Sequence, residues 1–342
     1  MKPCDLARLA TENSMNQLSS SDAINEAEET RLKREATCLD CGGSLENLLS
    51  DLFDTRYGID GSYEIRRCRE CGLEQIYPLP DPSELRQLYE NHYNFCGEKK
   101  TLYTRMRGYF LNSFLYRLWI WSDGDVSFHG RRGTGRLLDI GCNEGRGLKI
   151  FARNGFQVTG LELSEEAAAV AREAGFTVQT CDICDFEPAA LYDVAVLSNV
   201  LEHSLAPGQM LQGVARILKP GGEIWISCPN SRSWQRSLFA RSWINWHVPF
   251  HVAHFSTSSL DRLLRDAGCT GVRARQASPA AWLASSLVVL AFFRRGQPTR
   301  QLRNPFLFPL VMFAGKALLF PFLVLANCVG RGDALVVVAK KL

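Results

Sequence analysis

Short apolar stretches punctuate the middle of the chain at 136–140, 157–162, 176–180, 192–198 and 223–228, an alternating stretch follows at 271–275, and one more apolar run lies at 334–339. Runs of this length, bounded by glycine and polar turns, read as buried strands. The stretches between most of them have the length and period of crossover helices. The pattern predicts an α/β fold: a doubly wound, seven-stranded sheet over 133–277, completed by 333–342.

Two flanking regions break this rhythm. Residues 1–36 are polar, with acidic and basic side chains alternating over 23–36, and are expected to form a flexible tail with one short helix. At 278–332 two apolar runs, 280–293 and 305–329, interrupt the path to the last strand, and Lys316 is the single charge in the second.

Between the tail and the core lie Cys38-Leu39-Asp40-Cys41-Gly42 and Cys68-Arg69-Glu70-Cys71-Gly72, with 26 residues separating the two pairs. Two such knuckles supply four thiolates to one tetrahedral Zn²⁺, and the glycines allow the turns. A segment this small buries little apolar surface, so 37–80 is expected to be a zinc ribbon that draws its folding energy from the metal. Four cysteines close the coordination sphere, which makes the zinc structural. Cys181 and Cys184 repeat the spacing without a second pair and are read as non-metal. A stiff Tyr77-Pro78-Leu79-Pro80-Asp81-Pro82 connector follows, then an amphipathic helix at 85–93 with Leu85, Leu88 and Tyr89 on one face. An aromatic helix at 102–121 leads to a basic hinge at Arg131-Arg132-Gly133, so 81–132 reads as a helical connector or lid.

Composition narrows the classes. A hydrophobic content of 46% supports a full core, and a net charge of +3 is too small to imply nucleic acid. The 12 cysteines follow metal-ligand spacing or scatter through the core elements, which suits a reducing, cytoplasmic setting. The first 37 residues show no apolar signal region. Oligomeric state leaves no mark in the sequence.

The chemistry concentrates at Leu137-Leu138-Asp139-Ile140-Gly141-Cys142-Asn143-Glu144-Gly145-Arg146-Gly147, a strand running into a glycine-rich turn that opens a helix. Gly141, Gly145 and Gly147 let backbone bend and approach a ligand. The next strand ends at Glu162, about twenty residues on, where a carboxylate can accept from a ribose hydroxyl pair. The G-x-x-x-G-x-G order differs from the dinucleotide fingerprint, and Asp139 and Glu144 would repel a pyrophosphate. They suit a cationic adenosine ligand such as S-adenosylmethionine.

Four motifs in series extend the reading: this loop; Thr180-Cys181-Asp182; Tyr192 through Ser198, Asn199 and Leu201-Glu202-His203; and Arg216-Ile217-Leu218-Lys219-Pro220-Gly221-Gly222 with Trp225 through Asn230. In this series the chain resembles the class I S-adenosylmethionine-dependent methyltransferases over about 137–268. The resemblance implies that Glu162 holds the ribose, that Asp182 with Ile183 holds the adenine edge, and that Leu163 packs on the base. It also implies that the Asp139 to Gly141 turn holds the methionine portion, with Cys142, Glu144, Gly145, Gly147, Ser198 and Asn199 counted among the cofactor-binding residues, and that 334–339 is an antiparallel hairpin strand. The zinc ribbon, connector and helix resemble a subgroup whose members often serve glycan pathways.

Methyl transfer is an in-line displacement, and a hydroxyl acceptor also gives up a proton. His251, His254 and His203 are the candidate general bases, in that order. His247, His251 and His254 lie within eight residues and could bind metal, but no carboxylate or cysteine lies among them, which disfavours that reading. Ser198-Asn199-Val200-Leu201 lacks the proline-rich turn common in enzymes that methylate exocyclic amines of nucleobases, so an oxygen acceptor, or a sugar carbon as in related zinc-bearing sugar methyltransferases, is expected: O-methylation of a sugar or lipid-linked glycan first, a quinone or other small-molecule hydroxyl as the alternative. An RNA methyltransferase gripping nucleic acid through the ribbon, and a non-catalytic binding protein of this fold, rank behind these. The apolar insertion, with Arg294, Arg295, Arg300 and Arg303 between its runs, is expected to lie on an anionic membrane surface as a peripheral anchor.

Overall fold

The computed structural model describes residues 37–92, 109 and 113–342; the expected tail and the first part of the aromatic helix lie outside them. Its centre is a seven-stranded sheet made of β4 (Arg136–Ile140), β5 (Gln157–Leu161), β6 (Val178–Gln179), β7 (Tyr192–Ser198), β8 (Leu218–Pro229), β10 (Cys269–Ala277) and β11 (Ala334–Lys341). The order across the sheet is β10-β11-β8-β7-β4-β5-β6. β4 pairs in parallel with β5 on one side and β7 on the other, and β11 runs antiparallel between β8 and β10. The strand order therefore reverses at β4, and ligands of such sheets bind in the crevice at a reversal of this kind.

Several strand lengths differ from the sequence reading, and two of the differences have a visible cause. β8 begins at Leu218 rather than 223, because Leu218 already pairs with Tyr192 of β7; the Lys219-Pro220-Gly221-Gly222 turn bulges out at a register shift before Glu223 pairs with Val194, and Gly221 takes the left-handed region at φ +76°. β6 shrinks to two residues because it is an edge strand whose pairing with β5 is confined to Gly160 and Leu161. The helices α3 (Arg146–Arg153), α4 (Glu165–Glu173), α5 (Pro207–Ile217) and α7 (Thr257–Asp266) connect the strands, while α6 (Trp234–Phe239) opens the long loop after β8. Inward faces of β4, β7, β8 and β11, including Leu138, Leu197, Ile226 and Val337, fill the main core.

The ribbon is an antiparallel meander of β1 (Leu45–Leu52), β2 (Tyr63–Cys68) and β3 (Glu74–Tyr77). It does not stand alone. Its fourth strand, β9 (Ala253–His254), comes from the histidine-rich segment after β8 and pairs Glu74 with His254 and Gln75 with Ala253. Leu52, Ile65 and Ile76 pack against Trp243, Trp246 and Val252. The expectation that metal alone would stabilise this segment is thus corrected: the ribbon shares apolar burial with the core. The connector helix α1 (Pro82–His92) lies beyond β3, and α2 (Phe114–Asp123) precedes the first core strand.

The insertion forms α8 (Ala280–Phe292) and α9 (Leu307–Cys328). α8 is half-buried through Leu283, Ala284, Val288 and Val289, and Gly315 of α9 lies against Leu283 and Leu287. α9 is 22 residues of mean hydropathy 2.0, long and apolar enough by length and composition to cross a membrane, yet it leaves Leu310, Phe313, Leu318, Phe322 and Leu325 exposed. Its single charge is neutralised inside the protein. Lys316 Nζ donates to Asp123 Oδ1 and to the Ser122 carbonyl, each at 2.8 Å, while Asp123 also accepts from the first amide of α8 at 2.9 Å. One ion pair therefore pins α2, α8 and α9 together.

Breaking that pair leaves a buried charge without its partner. Lys316→Met is expected to destabilise the fold by about 3 kcal/mol in chemical denaturation, and adding Asp123→Asn should recover part of the loss. Unchanged stability in the single variant would show that the pair does not hold the insertion.

Candidate active site

The glycine turn after β4 is built by contacts that side chains would break. A Cβ on Gly141, at φ +69°, would stand 2.7 Å from Val200 Cγ2, and one on Gly147 would stand 2.6 Å from the Asp139 carboxylate. Gly145 caps α3 in the left-handed region at φ +77°. The turn is tied to β5: Glu162 Oε2 accepts from the Asn143 amide at 2.8 Å and Oε1 from the Ser164 amide at 3.0 Å. Cys142 is buried against Gly160. Glu144, counted from the sequence toward a cationic ligand, pairs with Arg146 at 3.0 Å. Asp139 and Glu162 are left, among the described residues, as the loop's carboxylates with no cation partner.

Asp139 is 6% exposed at the end of β4. Burial, and then the charge of Glu162, push its carboxyl up to about 7. A cation brought to that spot would relieve both costs. Asp182 caps its own turn, accepting from the Cys184 amide at 2.8 Å, and Ile183 is buried beneath it. Arg216 fixes this loop by donating to the carbonyls of Ile183, Cys184 and Phe186. The sequence reading quoted Arg216 only as a motif letter; its place one residue before the end of α5 was the signal. Ser198 Oγ lies 3.2 Å from Ser227 Oγ, and Asn199, at φ 55°, buries its Oδ1 with no donor. Leu163 stands exposed beside Glu162. A glycine cradle, a buried carboxylate at the strand reversal and an orphan acceptor fit a ligand with ammonium and hydroxyl donors, as S-adenosylmethionine has.

Beyond Asn199, a turn at Leu201–His203 leads into a cluster of rings. His203 and His251 stand 4.7 Å apart by ring centroid, and His247 and His251 stand 4.8 Å apart. His251 Nδ1 donates to the Asn245 carbonyl at 2.8 Å; His203 Nδ1 lies 3.0 Å from the Phe250 carbonyl and 2.6 Å from Tyr89 Oη of α1. A ring nitrogen committed to a carbonyl carries the proton, which leaves the lone pair on Nε2. Burial holds both imidazoles neutral, with His203 lowered to about 4. His254 sits apart from the pair, within β9, lowered to about 3 by burial and by the Arg236 charge. Glu202 is 1% exposed with neither oxygen hydrogen-bonded, and burial raises it to about 8.

One premise of the sequence reading is corrected here. It found no carboxylate among the histidines, but the fold brings Glu202 to them, and Glu202, His203 and His251 offer ligand atoms within 4.8 Å of one another. Adjacency to His203 was the available signal; what the sequence did not show was that 247–254 folds back over the end of β7.

The four ribbon cysteines also converge. Cys38 and Cys71 Sγ are 3.5 Å apart, Cys41 and Cys68 Sγ are 3.4 Å apart, and all four lie within 4.8 Å of one another. A tetrahedron with Zn–S bonds of about 2.3 Å has edges of roughly 3.8 Å, so the donor set suits zinc. The two knuckles repeat each other: Gly42 and Gly72 share φ +72°, and their amides donate to the Cys38 and Cys68 carbonyls at 3.0 Å.

Ionised Asp139 is the form a cation needs. Affinity for S-adenosylmethionine should therefore be flat above about pH 7 and fall by up to about tenfold per unit below it. Asp139→Asn should bind more weakly at pH 8 and lose most of this dependence. Calorimetry from about pH 5.5 to 8.5 measures it; a flat wild-type profile would remove Asp139 from the cation site.

A model described as the methyltransferase domain matches residues 105–274. Similar curated proteins include the ubiquinone biosynthesis O-methyltransferases of Cronobacter sakazakii, 32% identical over 124 residues (33% of this chain, 51% of that protein), and of Pectobacterium atrosepticum, 33% identical over 124 residues (33% and 52%). The chain thus spans about half the length of the curated relatives it matches. Among solved structures, a Thermotoga maritima methyltransferase described as a possible histamine N-methyltransferase is 19% identical with a TM-score of 0.45, covering 75% of this chain and 100% of that one. The Burkholderia thailandensis 1,6-didemethyltoxoflavin-N1-methyltransferase is 19% identical with a TM-score of 0.41, covering 84% and 99%. With its motif series, its sheet order and the match at 105–274, this chain carries a methyltransferase domain of the class I S-adenosylmethionine-dependent type.

Proposed function

We propose that the protein methylates a hydroxyl oxygen of a small organic acceptor. The observation that carries this reading is the Asp139 and Glu162 pair at the strand reversal, set beside a buried cluster of neutral imidazoles rather than an amine-clamping turn. S-adenosylmethionine supplies an electrophilic methyl group. Asp139 and the glycine turn orient its cationic end, Glu162 the ribose hydroxyls, and the Asp182 turn the base. Positioning of this kind can lower a barrier by about 7–11 kcal/mol.

The acceptor's proton goes to the His251 and His203 pair. Both imidazoles are neutral with Nε2 basic, and the Asn245 and Phe250 carbonyls hold their tautomers. The curated relatives named for O-methylation favour a quinone-like or other small-molecule hydroxyl over the sugar or lipid-linked glycan. Nucleic-acid binding by the ribbon has little support: Arg66 pairs with Glu64, Arg67 with Glu74 and Arg69 with Glu46, which leaves Arg56 alone of the ribbon's arginines without a carboxylate among the described residues and makes no basic stripe on the ribbon. The cysteine cluster is assigned to a structural zinc.

Label from methyl-labelled cofactor should enter a small-molecule fraction of a cell extract, and His251→Ala should cut turnover by roughly 10²–10⁴-fold while cofactor affinity stays constant. Label entering RNA would move the reading to the nucleic-acid alternative, and cofactor binding without transfer to any fraction would favour a binding protein. Elemental analysis should find zinc in the purified chain, lost together with cysteine-knuckle structure in Cys68→Ser. Zinc-free protein with an intact ribbon would overturn that assignment.

A further inference from the structure

The four arginines between the apolar helices are not equivalent in the fold. Arg295 pairs with Asp51 at 3.3 Å and lies over the Phe53 ring. Arg300 and Arg303 instead turn toward the ribbon and join Arg56 around a cavity of about 420 Å³, which Tyr57, His92 and Thr299 also line. None of these three guanidinium groups has a carboxylate partner among the described residues. The nearby acid, Asp54, is occupied by backbone: its oxygens accept from the amides of Arg56, Tyr57 and Ile59 at 2.7–3.0 Å. Arg56 is held in place by one bond, to the Ile244 carbonyl at 3.0 Å, while its Nε is buried with no acceptor. Three cations around one concavity, one of them with an unbonded Nε, suit an anion with several acceptor oxygens.

The surroundings say what carries the anion. The cavity is lined by Pro298, Thr299, Arg300 and Arg303 of the connection between α8 and α9, and the helix ends that this connection joins expose Phe292, Phe306 and Leu310. The connection between the helices is strapped to the ribbon: Tyr57 bridges Pro298, the Thr299 amide donates to the Arg56 carbonyl at 3.2 Å, and Thr299 Oγ1 donates to the Thr55 carbonyl at 2.7 Å. A tip fixed in this way does not project as a spanning hairpin, which leaves the exposed apolar face of α9 available for lengthwise contact with an apolar ligand or surface. On the inner side, Tyr57 stacks toward His247 and Phe250 of the imidazole cluster at 6.0 and 5.7 Å.

We infer that the Arg56, Arg300 and Arg303 cavity binds the phosphate group of a lipid, with the lipid chain along α9. This deepens the proposed function, on which it rests, by giving the enzyme a lipid-phosphate site next to its acceptor-side cluster. The phosphate can belong to a bilayer phospholipid or to a free lipid phosphate.

The test uses the full chain with octyl phosphate, octanol, inorganic phosphate, and phosphatidylcholine vesicles with or without phosphatidic acid. Octyl phosphate should bind on the order of tenfold or more tighter than octanol or inorganic phosphate, and Arg300→Glu with Arg303→Glu should abolish that advantage. Cofactor affinity should stay constant in the double variant, which separates failure of this site from failure of the methyltransferase reading. Vesicle binding that needs both phosphatidic acid and the arginines identifies the bilayer source; octyl phosphate binding without it identifies a free lipid phosphate. Equal binding of octyl phosphate and octanol, or phosphate binding that survives the double variant, would overturn the inference.

Discussion

The reversal of strand order at β4 is the constraint on which the site depends. Because β5 and β7 leave β4 on opposite sides, a crevice opens above its carboxyl end, and the chain places a carboxylate there with little water around it. Burial and the neighbouring Glu162 both oppose the charge of Asp139. A fold that keeps such a group in its interior gains most from a ligand that brings positive charge, and the glycines at 141, 145 and 147 clear the backbone for it.

The second half of the site is assembled by the ribbon. β9 belongs at once to the ribbon sheet and to the segment carrying His247, His251 and His254, so the cysteine knuckles and the imidazole cluster are mechanically continuous. Glu74, buried in β3, is ion-paired to Arg67 of the ribbon and to Arg236 of the core at 2.8 and 2.7 Å. Helix α1 adds Tyr89 to His203 from the far side. Damage to the ribbon should therefore reach the imidazole cluster before it reaches the glycine turn after β4.

Much of this was legible in local sequence. The strands at 136–140 and 192–198 match their predicted bounds, since a period-free apolar run ending at glycine or a polar turn has few other uses. The convergence of the four cysteines was legible from their spacing, and the turn between Asp139 and Glu162 from its glycines, whereas Asp182 was marked out only by the family resemblance. Contacts between distant segments were not. Nothing in the order of residues shows that Glu202 meets His251, that Lys316 meets Asp123, or that Arg56 shares a cavity with Arg300 and Arg303; each pairing follows from how loops pack over the sheet. The apolar insertion was visible as composition, but its strapping to residues 55–57 required the fold.

The most direct test of the account is calorimetric titration of S-adenosylmethionine into the full chain and its Glu162→Gln variant at pH 8. One site per chain is predicted, weakened in the variant by about 1.5–3 kcal/mol through loss of a charged acceptor. Absence of binding, or equal affinity in the two proteins, would contradict the assignment of the β4 crevice as the cofactor site.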